Sequence, residues 1–512
     1  MYVKNIWLTV KTNYITKFEP LKLFYKVMKK LLVIALISSF CLSAFAGDDG
    51  YKIKIKFKGL KDTTCYLGNY FGNKQYYKDT ARVDANGICV FQGKEPLPGG
   101  IYSVIFNNMM LFELVVNEPL IEIETDTLNY VKNMVIKKSE ENKLFYKHLL
   151  FVGDKQKKMV DLQAKLADEK TPETEKKEIQ LELDKVNEDI KQLRLDIMKN
   201  NPNSFVTTIF KAMKEPEVPE FTEEKNDSTI RYKKYYYMKD HFWDDFDFKD
   251  DRLIRTPIYH NKLEKYFNKI VLQHPDSINA EADRIITKTT FGSEIYKYTV
   301  HYITNNFEKS KYMGMDGVFV HMALKYYTHE LAYWVDSAQV EKIRERAIVQ
   351  EPLLLGKKAI NLSLLDTGRT WVNMHKINAE YTVLVFWDPE CGHCKKELPK
   401  LATYYETIRN KNIVVYAVSS NHDEAWKKFI IEHKLDFTNV AVPQEVYKDQ
   451  QKVNEYVLSG LTDVKSLNYS KTYDIFTTPQ IYLLDKDKII IGKKLDTELL
   501  QQVLEQRMNS KK

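Results

Sequence analysis

Residues 383–394 read Val383-Leu384-Val385-Phe386-Trp387-Asp388-Pro389-Glu390-Cys391-Gly392-His393-Cys394. An apolar run rich in β-branched residues stops at Asp388-Pro389, and two cysteines separated by two residues follow at the start of a helix-like run. A cysteine at a helix N-terminus faces unpaired N–H groups and the positive end of the macrodipole, and both favour thiolate over thiol. Cys391 is therefore the candidate nucleophile. Cys394, one helical turn on, is placed to attack a mixed disulfide formed by Cys391, which would release a reduced product.

A lone pair of this spacing can also be half of a zinc site or a structural disulfide. Zinc needs four ligands, and the chain holds no second C-x-x-C and no H-x3-H. No metal and no cofactor is expected. His393, between the cysteines, can stabilise the thiolate and hence the dithiol form.

Further residues fit one family. The strand ending Phe386-Trp387, the Cys391-Gly392-His393-Cys394 motif, its continuation Lys395-Lys396-Glu397-Leu398-Pro399, and Thr478-Pro479 before an apolar run at Ile481 to Leu484 occur together. Residues from about 353 to 508 thus resemble a thioredoxin-fold domain of the TlpA/ResA-like thiol-disulfide oxidoreductases. The resemblance implies that Pro399 kinks the first helix and that Pro479 is cis and faces the cysteine pair. Thr478, Pro479 and Trp387 then bind substrate, whose chain can lie on a backbone edge beside Cys391. It also assigns Glu397 to tuning the pair, the alternative being a solvated first-turn Glu favoured by the helix dipole. The expected potential lies between roughly −270 mV for thioredoxin and about −180 mV for disulfide isomerase. Two departures stand out. Val385 occupies the strand position where thioredoxins carry a buried Asp, and Glu390 precedes Cys391 where they carry Trp, a negative charge that opposes the thiolate.

Upstream, Met28-Lys29-Lys30 precedes the apolar run Leu31 to Leu42, and Ala44-Phe45-Ala46 offers small residues for a signal peptidase. Residues 1–46 are expected to be a cleaved secretory signal, too short in its apolar run for a membrane span, with Met28 the true start or a long leading segment before it. Phe40 before Cys41 speaks against a lipid anchor. These residues carry seven lysines and one glutamate, against 77 Lys and Arg and 70 Asp and Glu in all 512 residues, so the remainder is near neutral. Nucleic acid is not an expected partner.

Residues 47–136 alternate over short runs, Lys52-Ile53-Lys54-Ile55-Lys56-Phe57 being the clearest, with turns at Asn86-Gly87 and Pro98-Gly99-Gly100. This predicts an antiparallel β-sandwich with one wet face. The segment from Asp79-Thr80-Ala81 to Asn86-Gly87 is similar to an uncharacterised domain found before secreted TlpA-like domains of Bacteroidetes type. Cys65 and Cys89 here can pair or stay buried as small apolar residues.

Residues 137–350 read as a helical domain. Met159, Leu162 and Leu166, then Leu183, Val186, Ile190, Leu193 and Ile197, recur at helical spacing on either side of Thr171-Pro172, predicting two long antiparallel helices. Ser204 is a candidate N-cap for a helix from Phe205 to Met213. His321 and His329 share one helical face, a weak metal hint. Residues 351–512 complete the multidomain chain with an α/β thioredoxin fold.

The function expected is periplasmic thiol-disulfide exchange, of reductase or isomerase type by resemblance. Its expected partners are disulfide-containing secreted proteins and a membrane or periplasmic electron donor. The alternatives are a non-enzymatic envelope binding or assembly protein, or a thiol peroxidase. Peroxidases of this fold carry Thr or Ser three residues before the reactive Cys, where Asp388 stands here.

Overall fold

The computed structural model describes residues 50–509; the expected signal segment, with Met28 and Cys41, lies outside them. Strands β1 (Tyr51–Lys58), β2 (Thr63–Phe71), β3 (Lys74–Val83), β4 (Ile88–Gly93), β5 (Gly100–Phe106), β6 (Met109–Val116), β7 (Leu120–Asp126) and β8 (Val135–Lys138) form one sheet. Their spatial order is β6-β5-β2-β3-β4-β1-β7-β8. Along β1, Ile53, Ile55 and Phe57 turn inward, while Lys54 and Lys58 reach Glu122 and Glu124 of β7 at 2.8 and 3.0 Å on the wet face. Gly87, at φ +78°, turns the β3–β4 connection where Asp84 accepts the amides of Asn86 and Ile88.

The domain departs from the expected sandwich in two respects. β1 and β7 pair in parallel. The two layers belong to one continuous sheet that curls over itself, bringing Phe57 of β1 within 6.3 Å of the Phe112 ring of β6, at the far side of the strand order. Alternation specifies which side of a strand is buried and is the same for both pairings, so neither feature shows in the sequence.

Two 28-residue helices follow, α1 (Glu140–Ala167) and α2 (Glu173–Asn200), closed along Leu162, Ile179 and Leu183 with Met159 and Leu166 beside them. Then come α3 (Phe205–Met213), α4 (Asp227–His241), α5 (Pro257–Lys265), α6 (Pro275–Lys288), α7 (Glu294–Glu308), α8 (Asp316–Tyr326) and α9 (Ser337–Gln350). Ser204 caps α3 by accepting the Thr207 amide at 3.0 Å. The sheet and the helices share one core, because α1 is stitched to β6. The Asn142 side chain takes the Val115 amide at 2.9 Å and gives to its carbonyl at 2.7 Å, while Glu141 accepts the Phe205 and Val206 amides at the start of α3.

The C-terminal part is a second sheet of β9 (Ser363–Asp366), β10 (Trp371–Asn373), β11 (Tyr381–Trp387), β12 (Ile413–Ser419), β13 (Thr438–Ala441), β14 (Gln480–Asp485) and β15 (Ile490–Leu495), in the order β10-β9-β13-β12-β11-β14-β15. Helices α10 (Gly392–Ile408), α11 (Glu424–Glu432), α12 (Gln450–Leu458), the single turns α13 (Val464–Leu467) and α14 (Tyr469–Thr472), and α15 (Thr497–Asn509) cover it. β11 is central, parallel to β12 and antiparallel to β14. Val383, Val385 and Trp387 enter one core and Leu384 and Phe386 the other, which explains its unbroken apolar run. Among the described residues no helix is long and apolar enough to cross a membrane.

Candidate active site

β11 delivers the chain to the site and Asp388 ends it. The Asp388 carboxylate accepts the Ser420 hydroxyl at 2.6 Å and the Glu390 amide at 2.7 Å, fixing the turn before the cysteines. Cys391 then occupies the N-cap position of α10, its carbonyl taking the Lys395 amide at 3.0 Å. Its sulfur is half-buried, while Cys394 one turn on is buried. The Cys394 sulfur accepts the Asp388 amide at 3.5 Å, and the two thiols influence one another's ionisation.

From the other side comes the turn before β14. The Thr478–Pro479 peptide bond is cis, and the Thr478 carbonyl accepts the Cys391 thiol at 3.3 Å. The Thr478 side chain favours the ionised form of both thiols. Burial alone would push the Cys391 thiol up. It is outweighed by Thr478, by the amides of His393 and Cys394 and by the Cys394 thiol, so the group sits below its ordinary value. Cys394 is pushed up to about 12, chiefly by burial and further by the hydrogen bond and negative charge of Cys391. One thiol is poised to ionise and the other to keep its proton.

The structure brings Cys391, Cys394, Thr478 and Pro479 together and corrects three other assignments. Trp387 does not meet substrate: it is 1% exposed and packs its ring 5.2 Å from Phe429, because the two-residue period of β11 turns it inward with Val383 and Val385. Glu397 does not touch the pair. It accepts the Thr497 amide at 2.6 Å, capping α15, and its second oxygen lies 3.9 Å from Lys400 Nζ. A helix start with unpaired amides is a strong attractor for a carboxylate. His393 contributes through its backbone amide, while its imidazole is exposed and hydrogen-bonds neither sulfur. Ser420, which holds Asp388, carried no sequence signal because its partner lies 32 residues away.

Val385 is buried, as its strand position requires, and among the described residues no carboxylate hydrogen-bonds the Cys394 sulfur. His321 and His329 bond different carboxylates, Asp283 at 2.9 Å and Glu341 at 2.8 Å. Among the described residues no group of three or more His, Cys, Asp and Glu is placed to hold a metal ion.

A central sheet with the dithiol at the N-terminus of its first long helix and a cis-proline turn opposite defines a thioredoxin-fold thiol-disulfide oxidoreductase. The comparisons agree: residues 355–493 match the AhpC/TSA family, residues 51–145 a domain of unknown function (DUF4369), and residues 167–351 another (DUF5106). Thiol-disulfide oxidoreductase ResA of Bacillus cereus is 22% identical over 155 residues, 30% of this chain and 77% of the relative. That of Bacillus anthracis is 24% identical over 158 residues, 31% and 76%. A solved domain of a possible thiol-disulfide isomerase from Cytophaga hutchinsonii is 40% identical, with 31% of this chain and 96% of that chain covered and a TM-score of 0.26. A thioredoxin-like protein from Bacteroides caccae is 17% identical over 57% of this chain and 97% of its own, TM-score 0.42. The C-terminal domain is thus similar to the ResA-like thiol-disulfide oxidoreductases, and the upstream region matches the two domains of unknown function.

Proposed function

We propose that the protein works in the periplasm, exchanging disulfides with secreted proteins through Cys391 and Cys394. The observation that carries this reading is the half-buried Cys391 sulfur at a helix N-terminus, one turn from a buried thiol of higher pKa and faced by Thr478. The Cys391 thiolate attacks one sulfur of a substrate disulfide, so that one S–S bond breaks, a mixed S–S bond forms, and the departing substrate thiolate takes a proton. Cys394 then loses its proton and attacks the Cys391 sulfur. A Cys391–Cys394 disulfide forms as the second substrate thiolate leaves and is protonated. The substrate has gained two electrons and two protons, which a dithiol donor in the membrane or periplasm restores to the enzyme. If the mixed disulfide instead resolves on another substrate cysteine, the net result is isomerisation.

A peroxidase would need a hydroxyl where Asp388 stands. That carboxylate already accepts from Ser420 and the Glu390 amide, so it offers no donor to a peroxide. The test is Cys394→Ser expressed in the native host, fractionated and probed for mixed disulfides on Cys391. Thiol-sensitive adducts with exported proteins, in the periplasmic fraction, are the expected result. The reading fails if no adduct forms and the wild type neither reduces nor isomerises a model disulfide.

A further inference from the structure

The helical domain reaches the active-site turn. Arg346 of α9 lies between two rings, its guanidinium carbon 5.6 Å from the centre of Phe319 on α8 and 5.7 Å from that of Phe476. It pairs with Glu308 and stands 3.7 Å from the Asp474 carboxylate, to which Gln350 donates at 2.5 Å. The same interface is pinned by the buried pair of Lys493 on β15 with Asp316 on α8, Lys493 also donating to the Leu353 carbonyl at 2.7 Å. Between the domains remains a cavity of about 270 Å³, closed on one side by Phe476, Thr477 and Gln480.

Phe476 is 76% exposed. It stands two residues before Thr478, whose carbonyl accepts the Cys391 thiol, and two residues of extended chain span about 7 Å at most, so its backbone belongs to the same turn that faces the Cys391 sulfur. A Phe side chain left in water forgoes the favourable free energy of burial. Here the cation behind the ring fixes its position and leaves its outer face open to a partner.

We propose that Phe476, steadied by Arg346, is the specificity-determining contact for polypeptide substrates, receiving an apolar side chain close in sequence to the substrate cysteine. The inference rests on thiol-disulfide exchange at Cys391 and makes the helical domain a working part of that site. Arg346 touches no reacting atom and is a positioning residue. The partner it selects is an unfolded or misfolded chain, because in a native protein the apolar neighbour of a cystine is ordinarily buried.

The test uses the full chain, with dithiothreitol as electron source and three substrates: oxidised glutathione, a cystine peptide with leucine two residues from one sulfur, and the same peptide with serine there. In the wild type the leucine peptide is favoured in kcat/KM by about tenfold, expressed in KM. Phe476→Ala brings the ratio to about one and Phe476→Leu restores most of it. Arg346→Gln brings it part of the way down, and Arg346→Lys, which keeps the cation, returns it toward the wild-type value. A ratio near one in the wild type, or one that survives Phe476→Ala, overturns the proposal. A loss that strikes both peptides equally in the Arg346 variants overturns the role of Arg346, since a structural loss would act that way. Wild type inactive on all three substrates overturns the exchange reading itself, and this inference with it.

Discussion

Two pairs of thiols in one chain sit in opposite surroundings. Cys65 on β2 and Cys89 on β4 flank β3, opposite Ala81 and Val83, and influence one another's ionisation as Cys391 and Cys394 do. Both are buried in the apolar interior of the curled sheet, on strands and not at a helix start. In each pair one thiol is lowered and its neighbour raised, Cys65 by its contact with Cys89 and Cys391 by Thr478 and the helix amides that outweigh burial, but only Cys391 reaches solvent and only it has backbone amides turned toward it. Proximity is common to both pairs. Exposure and donors to the thiolate separate them.

The contrast is sharpest in native labelling. At neutral pH iodoacetamide should modify Cys391 while Cys65 and Cys89 wait for unfolding, a rate difference of about 10³ or more if opening costs roughly 5 kcal/mol. Mass mapping of the labelled peptides measures it, and comparable native labelling of Cys65 or Cys89 would break the comparison. The pH dependence sharpens it further: because the Cys391 pKa is lowered, its labelling rate should level off below the ordinary thiol range, whereas a thiol with an ordinary pKa keeps gaining rate through that range.

Turnover comes next. Cys391→Ser should lose roughly 10³-fold or more in reduction of a model disulfide, and Cys65→Ser should lose none per folded molecule. Stability should show the reverse order. Cys89→Ser places a more polar hydroxyl in an apolar core and should cost about 1–3 kcal/mol in urea unfolding, while Cys391→Ser, at a half-exposed N-cap, should stay within about 0.5 kcal/mol.

Smaller effects test the donors. His393→Pro deletes the amide that points at the Cys391 sulfur, so the reduced form loses stability and the potential should fall by about 30 mV for each 1.4 kcal/mol lost. His393→Ala keeps the amide and should leave the potential nearly unchanged. A redox titration against glutathione separates these outcomes. The smallest change is expected for Glu397→Ala: about 1 kcal/mol of stability from the lost cap on α15, with the dithiol potential unmoved.

The sequence was legible wherever the deciding interactions are local. The strand halted by Asp388-Pro389, the cysteine at the start of α10, the long pair α1 and α2 and the Ser204 cap all depend on residues within a few turns of one another, whose periodicity and capping chemistry the sequence displays. The role given to Glu397 went astray for the converse reason. From its place three residues after Cys394 it could turn toward the pair or toward another element, and the amide that claimed it belongs to Thr497, 100 residues on.

By itself, then, the sequence determined the thioredoxin-like domain, the cysteine pair at the start of its first long helix, and the alternating and helical character of what precedes them. Tertiary structure decided what faces each of those elements. It set Thr478, 87 residues away, against the Cys391 sulfur, rolled one sheet into two layers with a parallel pair, fused that sheet and the helices into one core, and lodged Arg346 behind Phe476. The physical reason is that a hydrophobic period records which side of an element leaves water, while the surface that covers it is chosen by packing among segments far apart in the chain.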